Sequence, residues 1–151
     1  MVDRDKIEGL IRHLRQYTTH LKEITDQHRG EFLRDPKSIG GARYYLQVSI
    51  ETCINIANHI IATDRLRAPK DYRDSFQVLG EAGILPAEPT RTMRELAGLR
   101  NLLVHLYWDV DDKMIYEGIR SELDDFETFV GHIVDYVDRT TANDPHEQPG
   151  R

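Results

Sequence analysis

Apolar residues recur at helical spacing through four long segments of this 151-residue chain, and most glycines and prolines fall between those segments. The pattern predicts main helices over about 3–27, from Gly40-Gly41 to about 63, over about 90–105, and from an N-cap within 109–112 to about 139. A shorter helix is predicted over 71–82, and residues 31–34 can form one helical turn. No segment alternates with the period of a β-strand. The predicted fold class is therefore all-α, an antiparallel up-and-down bundle of four main helices plus a short one.

Composition places this bundle among ordinary globular proteins, with 30% charged and 39% apolar residues. No apolar run is long enough to span a bilayer, and the charged segment 1–6 is unlike a secretory signal. Cys53 is the only cysteine, which excludes an internal disulfide and disfavours a cysteine-based metal site. We expect a cytoplasmic protein without a metal or other cofactor, with one domain over 1–139 and a disordered tail over 140–151.

The formal net charge of −6 argues against a broadly basic surface for nucleic acid. A small cationic excess is confined to residues 65–100, where seven arginines and lysines accompany five acids. This balance remains compatible with an enzyme that holds a few phosphates in one local pocket.

The segment 100–107 places Arg100, His105 and Tyr107 in an otherwise apolar helical run. Arginine can brace a phosphate, histidine can move protons near neutral pH, and tyrosine can be a nucleophile or a modified side chain. Arg100 shares one side of the helix with apolar residues, and Tyr107 returns to nearly that side if the helix continues. Asn101 and His105 are four residues apart on an adjacent face. The combination points to chemistry on a phosphodiester.

Ordinary structural roles are the alternative for each of these residues. Arg100 could pair with a neighbouring acid, Asn101 could make a capping hydrogen bond, and Tyr107 with Trp108 could plug the end of the bundle. A polar stripe on the second main helix could face a cleft, although a solvated helix face is the favoured interpretation. The stripe consists of Glu51, Asn55 and Asn58.

The same segment, RNLLVHLY, matches the Arg-X4-His-X-Tyr signature of the HepT-like branch of the HEPN superfamily. Residues 50–61, 72–76, 79–86 and 107–111 also resemble that family, so the resemblance covers roughly 4–139. The resemblance implies a metal-independent endoribonuclease that acts as a toxin and forms a homodimer. Its implied partner is a minimal nucleotidyltransferase (MNT-type) antitoxin of a type VII toxin–antitoxin system.

The family pairs two protomers so that the arginine and histidine of both meet in one composite cleft. The resemblance thus implies catalytic roles for Arg100 and His105, with Asn101 in support and Glu51 and Asn55 as candidate cleft residues. Arg100 and His105 are five residues apart, which separates them by about 140° around the helix axis. They therefore diverge within one chain. A two-fold axis beside the helix could direct both pairs toward one phosphate.

In this family the motif tyrosine accepts AMP groups. The resemblance therefore implies that the antitoxin adenylylates Tyr107 with AMP from ATP. Two other interpretations stay open: a non-catalytic helical adaptor for a nucleotidyltransferase, or a substrate-binding subunit for nucleotide transfer. The sequence does not identify the RNA; a structured RNA such as tRNA is one candidate, recognised by shape.

Overall fold

The computed structural model describes residues 2–143, which form six α-helices and one 3₁₀ turn. The elements are α1 (Arg4–Thr25), α2 (Arg29–Leu33), α3 (Pro36–Thr63), α4 (Tyr72–Glu81), α5 (Ala87–His105), the 3₁₀ turn (Tyr107–Asp109) and α6 (Asp112–Ala142). The predicted all-α bundle of four main helices is confirmed, with α4 as the shorter helix and α2 as a single additional turn.

Sequential main helices run antiparallel, as predicted. The ring of Tyr45 on α3 lies 6.4 Å from that of Tyr17 and 5.0 Å from that of His20 on α1. Ile24 on α1 packs against Gly41, near the start of α3. The start of α3 also meets the start of α6, where Arg43 donates to Asp112 at 2.9 Å. Helix α5 finishes at this same end of the bundle, where α3 and α6 start.

Helix α3 begins at Pro36, several residues before the Gly40-Gly41 start that the sequence predicted. Asp35 caps the helix by accepting from the Lys37 amide at 3.1 Å and from the Ser38 hydroxyl at 2.7 Å. A capping aspartate followed by proline at the first helical position is a strong start signal, and it outweighs the poor helix propensity of two glycines.

Helix α5 begins three residues before the start near 90 that the sequence predicted. The helix begins at Ala87, so Pro89 lies in its first turn, where the missing amide hydrogen has no intrahelical partner to lose. The buried hydroxyl of Thr90 donates to the Pro86 carbonyl at 2.8 Å, which satisfies the hydroxyl itself, and the start of α5 has no side-chain cap. Gly83 has a φ of +75°, as expected for its predicted place after the end of α4.

Helix α6 is longer than predicted. It starts after Asp111, which accepts from the Lys113 amide at 2.9 Å, and it ends at Ala142 rather than near 139. Arg4 fixes the last turn by donating to Asp138 at 2.9 Å and to Thr141 at 2.7 Å. The predicted boundary of the tail is thus three residues too early, and residues 144–151 of that tail lie outside the described residues.

Aromatic and aliphatic side chains fill one continuous core between the helices. Phe76 of α4 meets Phe129 of α6 edge to face, with ring centres 5.7 Å apart. Cys53 is fully buried in this core, and burial raises the pKa of its thiol, so it behaves as a small hydrophobe as predicted. Among residues 2–143 no helix has the length and apolar character needed to cross a bilayer.

One carboxyl group on α6 opposes folding at neutral pH. Oε2 of Glu122 is buried and has no hydrogen-bond partner among residues 2–143. Burial, with a smaller contribution from the charge of Asp125, raises the pKa of Glu122 from 4.5 to about 7. The free energy of unfolding therefore falls as pH rises from 4.5 towards 7, because the unfolded chain ionises this group first.

We expect Glu122→Gln to stabilise the protein at pH 8 by on the order of 1–2 kcal/mol and to leave stability nearly unchanged at pH 4. Urea unfolding at the two pH values measures the difference. Exposed Glu127 on the same helix is the matched control, and Glu127→Gln should change stability little at either pH. Equal stabilisation by Glu122→Gln at both pH values would contradict the assignment.

Candidate active site

The end of α5 determines how the motif 100–107 is presented. Helix α5 stops at His105, and Leu106 leaves the helical region with φ −135° and ψ 45°. Tyr107 then begins the 3₁₀ turn. The condition under which Tyr107 would return to the same helical side as Arg100 is therefore not met, because the helix does not extend that far.

Arg100 is held in place by contacts from three directions. Its Nε and Nη2 both lie 2.9 Å from Oε1 of Glu51 on α3. Nη1 donates to the side-chain oxygen of Asn101 at 3.3 Å, and the guanidinium carbon lies 5.0 Å from the ring centre of Tyr72 on α4. The Arg100 side chain is only 15% exposed, so its charge is partly desolvated and the ion pair and cation–π contact compensate for that cost.

Glu51 is the only residue of the predicted polar stripe, within the described chain, that contacts Arg100. Its Oε1 also accepts from Gln47 at 3.2 Å, and its side chain is 32% exposed, so the favoured interpretation of a freely solvated face is wrong for this residue. Asn58 accepts from the Ser75 hydroxyl at 2.7 Å and ties α3 to α4. Asn55 is exposed, and its side chain makes no hydrogen bond with residues 2–143.

His105 occupies the last position of α5 and is exposed. Its imidazole makes no hydrogen bond or ion pair with any of the described residues, so both ring nitrogens are available to a ligand. Asn101 lies one turn earlier and is half-buried, with its side-chain oxygen towards Arg100. The helix thus carries a fixed cation and, about 140° around its axis, an accessible proton carrier.

Tyr107 projects from a short connection that Arg43 holds against α3. Arg43 donates to the Tyr107 carbonyl at 2.9 Å, to the Val110 carbonyl, and to Asp112 through two nitrogens. Tyr107 is 60% exposed and Trp108 66%, so the alternative in which they plug the bundle is wrong. Their rings instead border an open groove of about 530 Å³, also lined by Tyr44 and Gln47.

Three residues of this region were missed by sequence reasoning: Tyr72, Gln47 and Arg43. Tyr72 is 42% exposed, and its ring centre lies 5.0 Å from the guanidinium carbon of Arg100. The only local signal was its position directly after the Asp71 cap at the start of α4. Gln47 and Arg43 lie one and two turns before Glu51 on α3. This spacing puts them on the face of Glu51, which indicates a role only once Glu51 is known to lie beside Arg100.

Comparison with known proteins agrees with this geometry. A solved structure of the tri-AMPylated Shewanella oneidensis HEPN toxin in complex with MNT antitoxin matches with a TM-score of 0.82 and 26% identity. The match covers 88% of this chain and 99% of that one. The bundle is therefore a HEPN-type domain, the class that the motif at the end of α5 predicted.

The sequence comparison is more specific. Residues 14–133 match the family model described as Ribonuclease HepT-like, and the chain belongs to that family. The mRNA nuclease HepT of Shewanella oneidensis is 34% identical over 85 residues, which span 56% of this chain and 64% of that relative. The tRNA nuclease HepT of Aphanizomenon flos-aquae is 28% identical over 133 residues, 87% of this chain and 89% of that relative. The predicted family is confirmed.

We expect the Arg100–Glu51 pair to be energetically coupled. In a double-mutant cycle with Glu51→Gln and Arg100→Met, urea unfolding should give a coupling free energy of about 1–2 kcal/mol. The exposed pair Arg29–Glu117, with side chains 49% and 60% exposed, is the matched control and should couple by less than about 0.5 kcal/mol. Coupling no larger than in the control pair would contradict the picture of a fixed guanidinium.

Proposed function

We propose that this member of the HepT-like ribonuclease family is the toxin of a type VII toxin–antitoxin system and cleaves RNA without a metal ion. The observation that carries the proposal is that the last two turns of α5 carry both the fixed guanidinium of Arg100 and the exposed imidazole of His105. These residues supply the two groups that phosphodiester transesterification needs, a stabiliser of phosphoryl charge and a proton carrier. The relatives named as mRNA and tRNA nucleases support the same chemistry.

The proposed site is completed by a second copy of the chain. Leu102 and Leu106 on α5 are 40% and 41% exposed, and Trp108 follows them at 66%. Apolar side chains grouped at one helix end favour burial against another protein surface. A two-fold axis beside this end of α5 would place both copies of Arg100 and His105 around one cleft, which compensates for their divergence within one chain.

The proposed reaction uses the 2′-hydroxyl of the substrate as nucleophile. His105 accepts its proton, the 2′-oxygen bonds to the adjacent phosphorus, and the bond from phosphorus to the 5′-oxygen breaks. The leaving 5′-oxygen receives a proton from an imidazolium, His105 itself or His105 of the partner subunit. The products are a 2′,3′-cyclic phosphate and a 5′-hydroxyl.

Glu51 and Asn101 position Arg100 for this reaction. A guanidinium has five N–H donors, and Glu51 and Asn101 occupy two of them, on Nε and Nη1, while Nη2 lies in ion-pair contact with Glu51. Three donors remain to bind phosphoryl oxygens while the ring of Tyr72 supports one face of the group. Because the orientation is set before substrate arrives, little reorganisation is needed as negative charge develops. Asn55, which is exposed one turn after Glu51, is a candidate for contact with the bound RNA.

Removal of either catalytic group should abolish cleavage. We expect His105→Ala and Arg100→Ala each to reduce the rate of cleavage of tRNA and mRNA substrates by at least about 100-fold in EDTA, without loss of helicity. Gel electrophoresis with chemical analysis of the new ends measures both the rate and the cyclic phosphate. His13→Ala, at an exposed position on α1, is the matched control and should retain full activity.

Full activity of the Arg100 and His105 variants would refute the catalytic assignment. A wild-type protein that binds a nucleotidyltransferase but cleaves no RNA would support the adaptor interpretation instead. Loss of activity only on addition of EDTA would contradict the metal-independent mechanism.

We further propose that the cognate MNT-type nucleotidyltransferase neutralises the protein by transferring AMP to Tyr107. The phenol oxygen would bond to the α-phosphorus of ATP, pyrophosphate would leave, and the phenol proton would pass to a base of the transferase. Tyr107 suits this role because its side chain is exposed while Arg43 fixes its backbone. The added nucleotide places bulk and negative charge two residues from His105, where it repels substrate phosphates. Both partners and the RNA belong to the cytoplasm, where we place this reaction.

Mass spectrometry after incubation with ATP and the cognate MNT-type nucleotidyltransferase tests the modification. We expect AMP on the peptide that contains Tyr107, no modification at that position in Tyr107→Phe, and loss of RNA cleavage in proportion to the modified fraction. Tyr44→Phe removes another exposed tyrosine and should leave the modification of Tyr107 intact. An unmodified Tyr107 in an active transferase reaction would refute this part of the proposal.

A further inference from the structure

A groove between α4 and α5 gathers three arginines in a protein that is acidic overall. The groove has a volume of about 540 Å³ and is bordered by Arg73, Arg91 and Arg94, with Gln77 and Leu102 among its other lining residues. Glu95 is the one carboxylate in that lining. The groove is therefore a local cationic surface on a chain whose net charge is −6.

The groove arginines differ from Arg67 and Arg100 because little of their charge is neutralised. Arg67 is bound by Asp74 and Glu81, and Arg100 by Glu51. In contrast, the nearest acid to Arg91 is Glu88 at 3.9 Å, beyond hydrogen-bonding distance. Arg94 donates to the neutral side chain of Gln77 at 2.9 Å, and Arg73 has no ion pair within residues 2–143. The three exposed guanidinium groups thus keep N–H donors for an external anion.

Gly98 allows one of these arginines to lie directly on the backbone of α5. A Cβ atom built on Gly98 would be 2.8 Å from Cζ of Arg73, which is closer than real side chains approach. Arg73 therefore crosses α5 at a position that only glycine leaves open. Since Arg91, Arg94 and Gly98 follow one another at intervals of three and four residues, the cations form a stripe along one face of the helix.

The stripe leads along α5 to His105. Gly98 and His105 are seven residues apart, which returns them to nearly the same face of the helix, and Leu102 of the groove lies between them. From Arg91 to His105 the helix rises about 21 Å, a length that accommodates the phosphates of a few nucleotides. An anionic polymer whose scissile phosphate lies at His105 would thus meet the groove as its next contact on this face.

We propose that this groove binds the RNA backbone next to the scissile phosphate, with Arg73, Arg91 and Arg94 contacting phosphates; the proposal rests on the ribonuclease function proposed above. The groove supplies binding energy remote from the reacting atoms, so it acts on affinity for RNA and not on the chemical step. Backbone contacts of this kind hold RNA without reading its sequence. They explain how a chain with a net charge of −6 retains a polyanionic substrate.

The test measures binding of labelled, unfractionated tRNA to full-length dimers that carry His105→Ala to prevent cleavage. We expect the double variant Arg73→Gln/Arg94→Gln to bind at least about tenfold more weakly at 0.1 M salt. The slope of log affinity against log salt should fall by about 0.8 for each lost phosphate contact. The matched control Arg12→Gln/Arg15→Gln makes the same change in net charge at exposed positions on α1 and should bind as the parent does.

Gly98→Ala provides a second variant that alters no charge. It should displace the Arg73 guanidinium and weaken binding, but by less than Arg73→Gln because the charge is kept, while the melting temperature is kept or raised because alanine favours the helix. In proteins with intact His105, the groove variants should raise KM for RNA cleavage and leave kcat within about twofold.

Each other outcome overturns the groove assignment. Unchanged tRNA affinity in the groove variants, with His105-dependent cleavage still present in the wild type, refutes the groove alone and leaves the ribonuclease function standing. If Arg12→Gln/Arg15→Gln weakens tRNA binding as much as the groove variants do, the effect comes from net charge and not from the groove. Groove variants that keep tRNA affinity but lose the complex with the nucleotidyltransferase identify the groove as a protein-binding surface. A wild type that neither binds nor cleaves RNA refutes both proposals together.

Discussion

The ion pair between Arg100 and Glu51 joins two helices at the point where the motif of this family becomes a site. A guanidinium that is 15% exposed needs compensation for lost hydration, and the carboxylate of α3 provides it. The same contact fixes the rotation of α5 relative to α3 and sets the cation above Tyr72 of α4. Three helices must therefore pack correctly before Arg100 has one orientation.

Charge is distributed unevenly over this acidic molecule, and the distribution matters more than the total. Arg43 and Arg67 are engaged with nearby acids, so they hold loops and helix starts together. Arg73 and Arg94 are not, and they lie on the side of α5 that leads to His105. The small cationic excess within residues 65–100 thus underestimates the positive electrostatic potential at the groove. Ion pairing in the folded protein neutralises some cations and leaves others grouped together.

The sequence predicted the number, type and antiparallel order of the main helices because amphipathic periodicity reports directly on burial in a bundle. The sequence was less informative at the start of α3. There Asp35-Pro36 favours a helix start, whereas Gly40-Gly41 disfavours a helix. The residues that surround Arg100 could not be assigned in advance. Whether Glu51 points to water or to another helix depends on the register between α3 and α5, which the pattern of either helix alone does not contain. The end of α5 near 105, in contrast, was predicted and is confirmed, although neither glycine nor proline follows it directly.

The contact of Arg4 with Asp138 and Thr141 brings the first and last long helices together at one end of the bundle. Arg43 and the Tyr107 connection lie at the other end, beyond the full length of α1, about 30 Å away. A fluorescent fusion or an immobilising linker attached beside either Arg4 or Thr141 would therefore lie at the opposite end of the bundle from the motif 100–107. The architecture also suits circular permutation, because a short bridge between those neighbouring positions would leave the helices that carry Glu51 and Arg100 uncut.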